Sequence, residues 1–334
     1  MKSLIQKLTG IPGTSGYETK IRAAIRTEIE ATADEIRVDN LGNLIAYKRG
    51  SDPNGQTIML AAHMDEIGLI ATHIDDNGFV RFSTIGGVPR HSSLSGRVSF
   101  LNGTRGVIGH EALEDLNRLA TFDQMYIDVG ASNSADCPVR VGDPAVFDQP
   151  FLDLGDRLVS KAMDDRIGVA ILIETMRQMP VTPNSVFFVF SAQEEVGVRG
   201  ATTAAYSLKP NIGIAVDVTR SGDTPKGVKM EVSLGKGPAI KVRDGGMLSD
   251  PRLVDWMINT AKKANLPYQI EVLERGSTDA RAIQISRAGV PAGCISIPCR
   301  YIHSPSEMID LKDAHNAVSL LVELLGQPIQ LLQE

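Results

Sequence analysis

Two hydrophobic textures alternate along this chain. Thr57–His63 (TIMLAAH), Ser185–Ser191 (SVFFVFS), Ile212–Val218 and Ala292–Ile297 are apolar runs of strand length, the pattern of strands buried on both faces of a helix-covered sheet. Helical patterns lie between and after them. Ser15 and Glu18 are spaced as a capping box ahead of Ile21, Ala24, Ile25 and Ile29. Helices are also expected over Met163–Met179, Ala201–Ser207, Pro251–Ala264, Asp279–Arg287 and Leu311–Leu325. Ile36–Val38 and Leu44–Tyr47, split by turn residues, read as a hairpin, and Tyr268–Leu273 as a further strand.

The middle of the chain reads differently. Short alternating strands follow one another at Gly68–Ile74, Phe79–Thr84, Arg97–Leu101, Arg105–Ile108, Met125–Val129 and Pro144–Phe147. Their spacing predicts a small all-β, barrel-like unit. The expected fold is therefore α/β. Residues 1–66 and 156–334 form a three-layer α/β/α domain around a mixed sheet, and residues 67–155 form an inserted β-barrel-like domain.

Composition narrows the function classes. At 334 residues, 43% hydrophobic and 22% charged, the chain has an ordinary globular make-up and room for a sizeable core. A net charge of -6, with no basic run interleaved with aromatics, argues against nucleic-acid binding. No run of about 18 apolar residues occurs, so no membrane-spanning helix is expected. The first residues, MKSLIQKLTGIPGTSG, lack the apolar length and cleavage site of a signal peptide, which makes the cytoplasm the expected compartment. Cys137, Cys294 and Cys299 are too few for a disulfide framework and read as buried reduced thiols.

The candidate chemistry lies where apolar strands end. His63-Met-Asp65 closes one strand. Residues two apart on a strand face the same way, so Asp65 either ligates beside His63 or hydrogen-bonds its second ring nitrogen. Glu194 and Glu195 follow another strand. Neighbours on an extended chain point apart, so one can bind a metal while the other holds an attacking water. Two acids leaving a buried strand repel unless a cation is near. Asp217 ends a third strand, His303 lies just beyond a fourth, and Asp164 opens a helix. In open α/β sheets ligands bind at the carboxyl ends of strands. Five His and carboxylate ligands exceed what one catalytic zinc needs and suit two ions that share a carboxylate. Without a thiolate the donors admit zinc, cobalt or manganese.

These residues sit in recognisable segments. HMDEIG (63–68), MDDRIG (163–168), SAQEEVGVRGA (191–201), AVDVT (215–219) and CRYIHSP (299–305) resemble, in the same order, motifs of the tetrahedral aminopeptidases. That family of cocatalytic metallopeptidases includes glutamyl, leucyl and deblocking aminopeptidases, and the resemblance covers essentially the whole chain. It implies two divalent metal ions, zinc first, with His63 and Asp217 on one, Glu195 and His303 on the other, and Asp164 bridging. It implies Glu194 as the general base acting on a metal-bridging water and Asp65 as the residue that orients His63. Peptides with a free N-terminus would be the substrates. The inserted β domain would serve dimerisation, and dimers would build a homo-oligomer, a dodecamer.

The chain departs from the family pattern at Glu274-Arg275-Gly276-Ser277, which is usually richer in glycine. That segment and Arg243–Gly246 bear on side-chain preference. Arg220, Arg243, Arg275 and Arg300 are candidates for an acidic-substrate pocket, each with an ordinary structural role as the simpler reading. Alternatives to an aminopeptidase are a carboxypeptidase or N-acyl deacylase on the same metal frame, or a glycoside hydrolase built on Glu194 and Glu195. The last leaves the histidines idle, and adjacent residues fit poorly a carboxylate pair that must flank one bond. His73, His91, His110 and His315 match none of the motifs.

Overall fold

A computed structural model describes residues 1–115 and 117–329. The chain begins with helices α1 (Lys2–Thr9) and α2 (Thr19–Ile29) and strands β1 (Glu35–Val38), β2 (Leu44–Lys48) and β3 (Thr57–His63). The middle supplies β4 (Gly68–Ile74), β5 (Val80–Ile85), the short α3 (Arg90–Ser93), β6 (Arg97–Phe100), β7 (Arg105–His110), β8 (Met125–Asp128) and β9 (Pro144–Phe147). Then follow β10 (Leu152–Leu154), β11 (Arg157–Ser160), α4 (Met163–Gln178), β12 (Ser185–Ser191), α5 (Arg199–Leu208), β13 (Ile212–Arg220), β14 (Ala239–Arg243) and α6 (Pro251–Lys263). The last elements are β15 (Gln269–Val272), α7 (Asp279–Gln284), β16 (Ala292–Arg300), β17 (Glu307–Asp310) and α8 (Leu311–Leu325).

Among the described residues, eleven strands make one mixed sheet, ordered β1-β2-β12-β3-β13-β16-β17-β11-β10, with β14 and β15 branching from β16. Its centre is parallel: β12 runs with β3, β3 with β13, and β13 with β16. Their carboxyl ends therefore meet at one edge. The apolar runs alternate between two cores. Ile58, Leu60 and Ala62 of β3 face one, with Phe188 and Phe190 of β12 and residues of α1, α2, α4, α6 and α8. Met59 and Ala61 face the other, with Ala204 and Ala205 of α5 and Ala280 and Ile283 of α7. Small residues on that second face bring its helices close; a Cβ on Gly213 would lie 2.3 Å from the Ile283 side chain. This is the three-layer arrangement expected from the sequence.

Strands β4, β5, β8, β7, β6 and β9 close into a separate barrel. Leu69, Val80, Phe82, Val98, Phe100, Ile108, Ile127 and Phe147 fill it. No helix of the described residues is long and apolar enough to cross a membrane.

Four features depart from the sequence reading. Helix α1 and strands β10, β11, β14 and β17 were not expected; each strand has three to five residues, too short for a period-two pattern to register. The capping box at Ser15 and Glu18 does not form. The Ser15 hydroxyl donates instead to Asp65 Oδ2 (2.6 Å), and Glu18 Oε1 accepts from Gly16 N (2.7 Å) and Gln193 N (3.1 Å), so tertiary partners win over the local cap. Strand β13 runs on past Asp217 to Arg220. Asp164 and Asp165 lie at the head of α4 with non-helical backbone angles, joined by a cis peptide.

The first turns of the chain are pinned to the site by Arg166, which is fully buried. Its guanidinium donates to the carbonyls of Met64 (2.7 Å), Leu8 (2.7 Å) and Ile11 (2.8 Å). Beside it, Lys161 donates to both oxygens of Glu66 (2.9 and 2.7 Å), and Glu66 also accepts from Gly13 N (3.0 Å). Removing one partner from such a network strands its buried acceptors. We expect Arg166→Met to cost about 3–5 kcal/mol in chemical denaturation; a cost below about 1 kcal/mol would mean that water replaces the guanidinium at little expense.

Candidate metal centre

The four central strands deliver their side chains to one cavity. His63 is the last residue of β3, Asp217 lies near the end of β13, Glu194 and Glu195 follow β12, and His303 follows β16. Together with Asp164 at the head of α4, these residues line a cavity of about 340 Å3. All seven residues expected from the sequence thus come together, Asp65 standing directly behind the cavity wall.

Two groups share Asp164. One ligand atom from each of His63, Asp164 and Asp217 lies within 4.8 Å of the others, and the same holds for Asp164, Glu195 and His303. His63 Nε2 is 3.0 Å from Asp164 Oδ1, and His303 Nε2 is 3.3 Å from Asp164 Oδ2 and 3.2 Å from Glu195 Oε2. Both imidazoles are held from behind. His63 Nδ1 lies 3.1 Å from the Asp65 carbonyl, and His303 Nδ1 lies 2.9 Å from the Gly87 carbonyl, in the loop that leaves β5 of the barrel. A proton on each Nδ1 satisfies those carbonyls and leaves each Nε2 lone pair facing the cavity. Gly87 has no room for a side chain, because a Cβ there would sit 2.9 Å from His303 Nδ1.

Asp65 meets His63 Nδ1 through its backbone carbonyl rather than by the side-chain hydrogen bond the sequence offered as one alternative. Its carboxylate accepts from Ser15 Oγ and from the amides of Glu194 (3.0 Å) and Glu195 (3.2 Å), with His63 Nδ1 3.5 Å away. It organises the turn that carries both glutamates. That turn also corrects an expectation. The chain after β12 is not extended: Gln193 has φ 57°, and both Glu194 and Glu195 line the cavity rather than pointing apart.

The electrostatics are those of a crowded anionic cage. Burial, reinforced by the charges of Asp217 and Glu195, pushes the Glu194 carboxyl well above its usual range against the pull of His63. Burial and then Asp164 raise Asp217 and Glu195 in the same way. Burial works against a charged His303, yet its hydrogen bonds to Asp164 and Glu195 hold it up at about 12. Glu195 Oε1 is buried without a hydrogen-bond partner. Such an acceptor, in a set of mixed His and carboxylate donors, fits a divalent cation.

Further groups support the site: Asp165 makes local contacts, as its place beside Asp164 suggests, while Glu307, Lys241 and Glu271 were not singled out from the sequence. Asp165 accepts from His63 N (3.2 Å) and Gly168 N (3.0 Å). Glu307 accepts from Asp164 N (3.0 Å) and His303 N (2.7 Å). Asp279 is hydrogen-bonded to Ser191, and the fully buried pair Lys241–Glu271 (2.5 Å) stands at the cavity wall with Thr219. Lys241, Glu271 and Asp279 are distant in sequence from the residues they support, and Glu307 reaches its partners only through the sheet.

The four candidate arginines divide. Arg220 and Arg275 line the cavity with Arg281, whereas Arg243 does not reach it. Arg300 is occupied, donating to Asp223 from Nε (2.9 Å) and Nη2 (2.8 Å). Cys294 and Cys299 are buried free thiols whose protons burial holds on, while Cys137 is only partly buried. His73, His91, His110 and His315 are exposed, away from the cavity.

The pair Asp223–Arg300 yields a pH prediction. Burial opposes the Asp223 charge, but Arg300 holds the carboxyl down at about 2, from 3.8. A depressed folded-state pKa contributes stability that is present above the unfolded value and is lost as pH falls through the folded one. The stability difference between wild type and Asp223→Asn should therefore be constant at neutral pH and close between about pH 4 and pH 2. A difference that persists at pH 2 would contradict the pairing.

With this geometry established, similarity to known proteins places the chain. The family model described as M42 glutamyl aminopeptidase matches residues 42–320. A putative aminopeptidase of Acetivibrio thermocellus is 48% identical over 97% of this chain and 98% of its own. The solved aminopeptidase of the archaeon Desulfurococcus kamchatkensis is 40% identical and superposes with a TM-score of 0.94 over 97% of this chain and 94% of that one. The TET1 peptidase of Pyrococcus horikoshii, titled as assembling into a tetrahedron or a large octahedral shell, is 33% identical with a TM-score of 0.88 over 98% and 99% of the two chains. The fold, the cavity and these similarities agree: the chain belongs to the M42 glutamyl aminopeptidase family and is a metal-dependent aminopeptidase, a hydrolase of peptide bonds.

Proposed function

We propose that this enzyme holds two divalent cations per chain and removes N-terminal residues from peptides with a free amino end. The observation that carries the reading is the pair of ligand groups joined at Asp164, with the Glu194 carboxylate beside them, its Oε2 3.9 Å from His63 Nε2. His63 and Asp217 would hold one ion, Glu195 and His303 the other, and Asp164 both. Zinc is the first choice, with cobalt or manganese compatible with the same donors. Bound there, the ions would supply Lewis-acid polarisation of the scissile carbonyl and lower the pKa of water.

The remaining work falls to the chain. Glu194 takes the proton of the attacking water and delivers it to the leaving amine. Asp65 fixes the glutamate turn and stands behind His63. The Leu273–Thr278 segment and Arg220 form the wall against which a substrate side chain lies. We assign residues 1–66 and 156–334 to the catalytic domain and the barrel, residues 67–155, to a dimerisation domain. The shells named for relatives support a homo-oligomer, with a dodecamer built from dimers as the specific form proposed. The expected compartment is the cytoplasm.

Replacing Glu194 by Gln should leave metal content intact and lower kcat by about 100- to 10,000-fold. Asp164→Asn should instead lose metal. Metal content by mass spectrometry and turnover of aminoacyl chromogenic substrates check both; near-full activity in Glu194→Gln would remove the base assignment. A free-amine peptide should be cleaved and its N-acetylated form spared; the reverse would favour a deacylase.

A further inference from the structure

We propose that Glu307 is the positioning residue of one cation site, the group Asp164–Glu195–His303, and that its loss disables that site while leaving the His63–Asp217 side in place. The inference rests on the two-cation reading above.

His303, like Glu195, lies in a turn outside any helix or strand. It follows β16 on an irregular turn, and its backbone lies in the left-handed region (φ 64°), as does that of Tyr301 (φ 62°). Non-glycine residues hold such angles only where the surroundings impose them. Glu307 imposes them. It is the first residue of β17, paired to Ser160 of β11, and it is buried to 2% exposure. From that fixed point one carboxylate oxygen, Oε1, reaches back four residues to His303 N (2.7 Å). The other, Oε2, takes Asp164 N (3.0 Å). A single buried side chain therefore joins the amides of two ligands that arrive from different elements. Only a carboxylate accepts at both oxygens. Burial and then the Asp164 charge push the Glu307 carboxyl well above its usual range, against the pull of the two amides and of His303.

The two amides are not equally replaceable. Asp164 is also fixed through its neighbours, since Asp165 is bonded to His63 N and Gly168 N and Arg166 to three carbonyls. His303 is held at its amide by Glu307 and behind its ring by the Gly87 carbonyl, while its Nε2 faces the Asp164 and Glu195 carboxylates. A glutamine at 307 has one acceptor and one donor group, so it must lose one of the two bonds. The bond to the irregular turn is the one given up.

The test uses metal-free full-length protein titrated with Co2+, followed by calorimetry and by visible absorption. Wild type should take up two ions. Glu307→Gln should retain one at wild-type affinity and bind the other about 10- to 100-fold more weakly. His303→Ala should lose the same ion, and the double variant should show no additional loss, because both changes act on one site. Thermal melts of the metal-free variants show that they are folded; if the glutamine variant is not, Glu307→Asp, which keeps the charge but reaches one amide, carries the same expectation. Two wild-type affinities in Glu307→Gln, equal weakening of both ions, or losses that add to those of His303→Ala would each overturn the proposal. A wild-type protein that binds a single ion overturns the two-cation reading and this inference with it.

Discussion

Four carboxylates, Asp164, Glu194, Glu195 and Asp217, face one small cavity with two imidazoles. This like-charge crowding is the constraint on which the rest of the structure depends. Buried acids at such distances cannot all ionise unless cations share the space. Much of the surrounding architecture holds them there regardless. The parallel strands bring their ends to one edge, Asp65 clamps the glutamate turn, and backbone carbonyls fix the imidazoles. Such crowding is the arrangement that a cation placed among the carboxylates would relieve.

The barrel takes part in this arrangement. Its Gly86-Gly87 loop lies against Glu195 and His303, and the Gly87 carbonyl lies 2.9 Å from His303 Nδ1. One candidate ligand, His303, is thus braced from the barrel side as well as from the sheet.

Much of this was legible in the sequence, for identifiable reasons. The runs at 57–63 and 185–191 have the apolar continuity that only doubly covered strands require, and the structure gives them those same limits. His63, Asp217 and the glutamate pair stood out because acids and histidines are out of place at the ends of such strands. What could not be read depends on three-dimensional neighbours. The Ser15 and Glu18 spacing has the form of a helix cap, yet a buried carboxylate fifty residues away in sequence takes the serine. Glu307 looks like any acid opening a short strand, and its importance appears only when β17 lies between β16 and β11. Glu194 and Glu195 seemed to diverge because an extended chain was assumed; the left-handed Gln193 turns both inward.

The central claim is that one shared carboxylate joins two cation sites. Anomalous diffraction from crystals soaked in zinc, recorded on either side of the zinc absorption edge, tests it most directly. Two peaks per chain are expected, both in contact with Asp164, one beside His63 and Asp217 and the other beside Glu195 and His303. A single peak, or a pair in which Asp164 touches only one ion, would contradict it.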